Sequence, residues 1–141
     1  VINMKKDDCI FCKIAAGEIP SRKIYEDKDL IAIMDLSPTS KGHSLIIPKE
    51  HYTNIYDIDE EIAGKVMKTA KKLATKMTVA LNCDGFNLLQ NNGETAGQTM
   101  FHFHMHLIPR YKDADNNMLK FTSVSFSDEE MDAIRDQIIK D

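Results

Sequence analysis

Residues Phe101-His102-Phe103-His104-Met105-His106-Leu107-Ile108-Pro109 place three of the chain's five histidines at alternate positions, with Phe103, Met105 and Leu107 between them. An extended strand sends successive side chains to opposite faces, so this pattern suits a β-strand with a row of imidazoles on one face and an apolar stripe on the other. The stripe demands a core behind it, and the row offers reactive groups in front. Histidine gains or loses a proton near neutral pH, and the neutral ring is also a nucleophile and a metal ligand. From the first to the third imidazole a strand spans roughly 13 Å, long for three rings on one ion with bonds near ~2 Å. At least one of the three therefore serves a purpose other than a shared metal.

The rest of the chain supplies partners for such a strand. Ile24-Tyr25-Glu26 and Leu30 to Met34 flank the polar turn Asp27-Lys28-Asp29, a hairpin spacing. His43 to Pro48 and Gly85 to Asn91 are two more apolar runs bounded by turn residues. Ile62, Val66, Ala70, Leu73, Met77, Ala80 and Leu81 recur at three- and four-residue steps, as in an amphipathic helix, with Asp59-Glu60-Glu61 placed to favour its N-terminal dipole. A shorter helix is expected after Ser127, and a helical turn over Lys13 to Gly17. The expected fold is α+β: a five-stranded antiparallel sheet, a long helix packed on one face and a short C-terminal helix. One domain over residues 1–141 is expected, with residues 1–8 disordered, a mobile loop from Lys112 to Lys120 and a helical extension over 121–141.

A net charge of -4 and a pI near 5.7, with no basic block, argue against a nucleic acid polymer as partner. No apolar run approaches the ~20 residues that cross a bilayer, and the charged start, in which Met4-Lys5-Lys6 resembles a natural beginning, has no signal-peptide core. Three cysteines, an odd number, fit a reducing compartment, so a cytoplasmic location is expected. Cys9-x-x-Cys12 alone is either a redox dithiol or half a zinc site, and no parallel βαβ unit is evident to support the first. Asn91 to Thr99 is a polar, glycine-containing loop able to bring N–H groups to an oxyanion, although such loops are more often only loops. Asp35, at a strand end, either binds hydroxyls or caps the following turn.

These stretches together resemble the HIT family of nucleotide hydrolases and transferases. The triad has the family's His-φ-His-φ-His-φ-φ pattern, Gly97-Gln98-Thr99 precedes it as Gly-Gln-Ser/Thr does there, and Asp35-Leu36-Ser37-Pro38 and Gly42 to His51 look like family signatures. The resemblance runs from about Cys9 to Arg110. It implies that His104 is the nucleophile toward the α-phosphorus of a purine nucleotide, with His106 and His43 assisting. It also implies that Asp35 receives the ribose, that Phe11, Ile14, Ile19, Ile33 and Leu36 sandwich the base, and that Asn91, Gly97, Gln98 and Thr99 meet the phosphate. By similarity to zinc-carrying members, Cys9, Cys12, His51 and His102 would hold a structural Zn²⁺. The substrate it implies is a purine nucleoside phosphoramidate or a related AMP conjugate, as in the Hint-like branch. Ile108-Pro109-Arg110 resembles instead the ending of the dinucleoside polyphosphate hydrolases, and a nucleotide sensor without turnover would keep the same pocket. An exposed edge at Phe86 to Gln90 and the apolar stripe of the long helix suit a C₂ homodimer, as the resemblance also implies, though the stripe is equally consistent with a monomer core.

Overall fold

The computed structural model describes residues 6–114 and 120–141. The elements in chain order are α1 (Ile10–Ala15), β1 (Lys23–Glu26), β2 (Leu30–Met34), β3 (Ser44–Pro48), α2 (Glu60–Leu81), β4 (Gly85–Leu89), a 3₁₀ turn (Glu94–Ala96), β5 (Met105–Arg110) and α3 (Asp128–Ile139). The five strands form one antiparallel sheet in the order β1-β2-β3-β5-β4. The expectations of a disordered segment over residues 1–8 and a mobile loop from Lys112 to Lys120 fall in part on residues 1–5 and 115–119, which lie outside the described residues.

Alternation along the central strands builds two cores. Leu30, Ala32, Ile46, Phe103, Met105 and Leu107 pack with Val66, Ala70, Leu73 and Met77 of α2 on one face. On the other, Ile31, Ile33, Leu45 and Ile47 pack with Phe11 and Ile14 of α1. β2 and β3 are thus covered on both faces, which is why their sequences read as continuous apolar runs. Asp59 caps α2 through the N–H groups of Glu61 and Ile62, and Asn82 in the left-handed conformation ends it.

Of the boundaries that differ from the sequence reading, three bear on the histidines and cysteines. The first helix starts at Ile10 rather than Lys13, because Cys9 caps it with its sulfur on the N–H of Cys12; Gly17 at φ 80° ends it as expected. β3 begins at Ser44, one residue after His43. The triad strand begins only at Met105. Leu45 pairs with His106 and Ile46 with Met105, but beyond them Pro48 has no N–H with which to continue a ladder. The N–H of Phe103 donates instead to the Tyr52 carbonyl at 2.6 Å, turning His102 and His104 toward α1. Gly42, just before His43, has φ 93°, and a Cβ there would lie 2.5 Å from Leu81 Cδ1, so the turn that delivers His43 is reserved for glycine.

Candidate active site and metal centre

Backbone groups fix the protonation pattern of four histidines, because a carbonyl only accepts and an amide N–H only donates. His104 has Nδ1 at 2.8 Å from the carbonyl oxygen of His102, so Nδ1–H donates there and Nε2 keeps a lone pair. That leaves a buried, neutral imidazole with an available lone pair, its ring edge-on to Phe11 at 5.1 Å and to His106 at 4.9 Å. The amide N–H of Thr39 donates to Nδ1 of His43 at 3.0 Å, which places the His43 proton on Nε2. This Nε2–H donates in turn to Nδ1 of His106 at 2.9 Å. The His106 proton is therefore on Nε2, as a donor. Finally, Nε2–H of His102 donates to the Pro48 carbonyl at 2.8 Å, which aims its Nδ1 lone pair at two sulfurs.

Those sulfurs complete a cluster of four donors that could hold a metal ion. Nδ1 of His102 lies 3.3 Å from Cys9 Sγ and 3.5 Å from Cys12 Sγ, and Nδ1 of His51 lies 3.4 Å from Cys12 Sγ. All four donor atoms fall within 4.8 Å of one another. A tetrahedron with Zn–S near ~2.3 Å and Zn–N near ~2.05 Å has edges of roughly 3.3–3.8 Å, so the donor set fits zinc in both softness and size. The Cys-x-x-Cys pair does open a helix, but in a wholly antiparallel sheet with two imidazoles facing it.

Asp35, His43 and His106 also converge within 4.8 Å. Here a metal does not fit. An ion on Nε2 of His43 would require the ring proton on Nδ1, directly against the Thr39 N–H. Asp35 has two tasks: Oδ1 accepts from the N–H of Ser37 at 2.8 Å, and Oδ2 stands 3.6 Å from Nε2 of His43. The turn-capping reading of this residue therefore holds, and its second oxygen stays on the side of His43.

Burial pushes the histidines below the ordinary value of 6.5. His106 is lowered to about 4 by burial and then by His104 and His43. His102 falls to about 4 mainly by burial, opposed by its bond to Pro48. His104, His43 and His51 shift the same way, again chiefly through burial. Neutral rings at neutral pH agree with the bonding pattern. The sign follows: a nucleophile whose pKa is depressed stays neutral as pH falls past 6.5, so kcat/KM is expected to hold level through 6.5 and to fall only well below it. A pH–rate profile checks this, and an acid limb centred at 6.5 or above would contradict it. Stability follows the same direction. The contribution from keeping His106 neutral is full above 6.5 and is lost as pH falls toward about 4, because the unfolded chain takes up the proton first.

The reading of the Asn91 to Thr99 loop needs one correction. Gln98 is buried, its Oε1 accepts from the N–H of Gly93 at 2.8 Å, and its amide hydrogens go to the carbonyls of Thr53 at 2.7 Å and Met100 at 3.1 Å. A side chain with both donors spent holds the loop instead of offering itself to a phosphate. Gly97 at φ 96° and Thr99 are exposed beside it, and Asn91 Nδ2 reaches only the Gly97 carbonyl at 3.5 Å. Of the base-pocket residues, Phe11, Ile14, Ile33 and the half-buried Ile19 lie in one cluster, whereas Leu36 is 86% exposed and outside it. The groups sequence reading missed are backbone ones: the Thr39 amide and the carbonyls of Pro48 and Thr53. Residue type carries no signal for them.

A model of the HIT domain family matches residues 16–113. The chain belongs to the HIT family. The Bacillus subtilis protein hit is 48% identical over 109 residues, 77% of this chain and 75% of its own length. An adenosine 5′-monophosphoramidase of Schizosaccharomyces pombe is 38% identical over 130 residues, 92% of this chain and 95% of its own. Among solved structures, a Streptococcus mutans protein superposes with a TM-score of 0.93 at 40% identity, covering 99% of this HIT chain and 88% of its own. A zinc-bound histidine triad family protein of Mycobacterium smegmatis has a TM-score of 0.74 at 32% identity, covering 91% of each chain. Cys9 and Cys12 precede the family match, so the sulfur half of the candidate metal centre is contributed from outside it.

Proposed function

We propose that this HIT protein is a nucleotide hydrolase or transferase that acts at the α-phosphorus of a purine nucleoside phosphoramidate or related AMP conjugate. The observation that carries it is the bond from Nδ1–H of His104 to the His102 carbonyl, which leaves a desolvated Nε2 lone pair as the attacking group. His104 Nε2 forms a bond to phosphorus as the bond to the leaving group breaks, giving a nucleotidyl-histidine. Water then attacks the same phosphorus, the P–N bond to His104 breaks, and AMP leaves. Nε2–H of His106, held in that tautomer by His43 and Thr39, donates toward the phosphate or leaving group. The relative in fission yeast named as an adenosine 5′-monophosphoramidase supports the substrate class. Cys9, Cys12, His51 and His102 would hold Zn²⁺, which supplies a structural staple rather than a reaction step; the zinc-bound mycobacterial neighbour supports that reading.

AMP release from adenosine 5′-phosphoramidate and from diadenosine polyphosphates tests the reading. Turnover of the phosphoramidate is expected; turnover of the dinucleotides alone would move the protein to the other branch, and AMP binding without turnover of either would make it a sensor. Asp35→Ala is expected to raise KM ~10- to 100-fold, the worth of one charge-assisted hydrogen bond at about 1.5–3 kcal/mol. The variant should also lose most of the wild type's preference for ribose over 2′,3′-dideoxyribose; a preference left intact would remove Asp35 from the ribose site.

A further inference from the structure

The registers of the sheet set residues of different strands in rows on the face that carries the histidines. Ile33 pairs with Leu45, Leu45 with His106 and His106 with Leu89, which makes one row across β2, β3, β5 and β4. One pleat further along, the N–H of Asp35 donates to the His43 carbonyl at 3.0 Å, and Ile108 pairs with Asn87. His43 stands one residue ahead of the pair Ser44 and Leu107, opposite Ile108, and so joins the two halves into a second row of Asp35, His43, Ile108 and Asn87. The apolar cluster of Phe11, Ile14 and Ile33 lies toward the β2 and β3 end of these rows. At the other end, β4 has so far been given no part in the chemistry.

Arg110 gives it one. It follows His106 and Ile108 on the same face of β5, and Gly85, which pairs with it on β4, has no side chain to fill the space beside it. Nε–H of Arg110 donates to Oδ1 of Asn87 at 2.8 Å, so the guanidinium leans back over the second row instead of running on past the end of the strand. Among the described residues no carboxylate stands within ion-pair distance of it. β4 and β5 carry no other formal charge once His106 is neutral. A half-buried guanidinium with no counter-ion, beside neutral imidazoles, is suited to a planar oxyanion. Its field already reaches the row: burial lowers the pKa of His43, Asp35 opposes that shift, and Arg110 adds to it.

We propose that Arg110, aimed by Asn87, determines specificity for the leaving group and selects AMP conjugates whose departing portion carries an oxyanion a few bonds beyond phosphorus. This rests on the nucleotidyl-transfer reading above, which fixes the direction of the substrate. With the base toward β2 and the ribose on Asp35, the α-phosphorus lies over His104 and His106, and whatever it carries continues across the sheet toward β4. Neighbouring strands are roughly 4.8 Å apart, and a chain of about three bonds of ~1.5 Å covers that distance. The guanidinium therefore meets the leaving group at its first few atoms and does not touch the nucleotide. A leaving group as small and uncharged as ammonia gives it nothing to hold.

The adenosine 5′-phosphoramidates of β-alanine and of propylamine test this, because the nucleotide and the scissile P–N bond are the same and only the distal carboxylate differs. The wild type is expected to favour the β-alanine conjugate in kcat/KM by ~10- to 100-fold, the scale of a hydrogen bond to a charged group. Arg110→Gln should bring that ratio near unity, Arg110→Lys should keep part of it, and Arg110→Glu should invert it. Asn87→Ala, which leaves the charge and removes its aim, should fall between wild type and Arg110→Gln. The ratio is the informative quantity, since an arginine that merely covered Ile108 with its stem would move both rates together. Equal use of the two conjugates by the wild type, or a ratio that survives Arg110→Gln, overturns the proposal. Binding of both conjugates to His104→Ala, with and without Arg110→Gln, separates this from a failure of the enzymatic reading. Charge-selective binding that depends on Arg110, without turnover by the wild type, would sink nucleotidyl transfer and still support the anion subsite. Turnover of both conjugates without preference overturns the subsite alone, and neither binding nor turnover overturns both.

Discussion

Replacing His104 with alanine is expected to lower the rate of AMP release by about 10⁴-fold or more, the scale on which removal of an enzymic nucleophile acts, while the fold stays intact. The side chain is buried to 9% exposure, so the truncation leaves a small gap beside Phe11, but its one hydrogen bond is to a carbonyl that the remaining site tolerates uncovered far better than an orphaned charge. The loss should fall on kcat. On the proposed reading the ribose and base are held by other residues, so binding of AMP is expected to change little. A denaturing quench during turnover should trap a nucleotidyl adduct in the wild type and none in the variant. Equal turnover by both proteins would remove His104 from the nucleophile's role and with it the covalent route.

His106 offers a graded companion to that result. Its pKa of about 4 means that at neutral pH it donates a hydrogen bond without carrying a charge, so it assists the reaction and does not define it. His106→Ala is expected to lose about 10²- to 10³-fold in kcat, less than His104→Ala, and single-turnover rates for the two variants give the comparison. A loss as large as that of His104→Ala would mean that the tautomer chain from Thr39 through His43 to His106 acts as a unit with the nucleophile.

Side-chain identities made the outline of this molecule readable, and backbone groups held back the rest. Strand alternation around Phe103, Met105 and Leu107 and the three- and four-residue steps from Ile62 to Leu81 predicted the two partners of the main core, because burial on one face leaves a periodic trace in the sequence. The start of β5 was not legible: Phe101 to His104 alternate as well as Met105 to Pro109, yet the Tyr52 carbonyl and the missing N–H of Pro48 pull the first half off the ladder. That departure matters for function. It lets His102 meet the sulfurs of Cys9 and Cys12 while His104 stacks edge-on against His106, which answers the span argument against one shared ion. Gln98 shows the opposite failure. Its type and position suited a phosphate donor, but the Gly93, Thr53 and Met100 backbone groups claim its amide. Second-core residues such as Ile33 and Leu45 were ambiguous for a simpler reason, since a strand covered on both faces has no alternation to read.

Zinc removal is expected to reach further than a surface metal site would. The four donors come from α1, the segment after β3 and the segment before β5, three pieces of chain with no ladder of their own joining them at that point. Without the ion, two sulfurs and two ring nitrogens stand close together, the sulfurs accepting weak bonds from the N–H groups of Cys12 and Lys6, in a centre where Cys12 and His102 are almost fully buried. Chelation of the purified protein is therefore expected to cost on the order of 3 kcal/mol, which for a domain of this size lowers Tm by roughly 10 °C. Cys12→Ser should reproduce the loss and make the protein insensitive to chelator, with metal analysis falling from about one zinc per chain to near none. The chemistry should suffer in second place, through geometry. The carbonyl that holds the nucleophile's proton belongs to His102, whose ring is anchored on one side by Pro48 and on the other by the metal. Losing one anchor loosens that carbonyl and lets His104 sample the wrong tautomer, so kcat should drop by about 2- to 3-fold, a tenth of the His104→Ala loss on a logarithmic scale, and re-addition of Zn²⁺ should restore both Tm and kcat. Unchanged melting after chelation, in protein that contained no zinc at the outset, would show instead that the four side chains are held by packing alone.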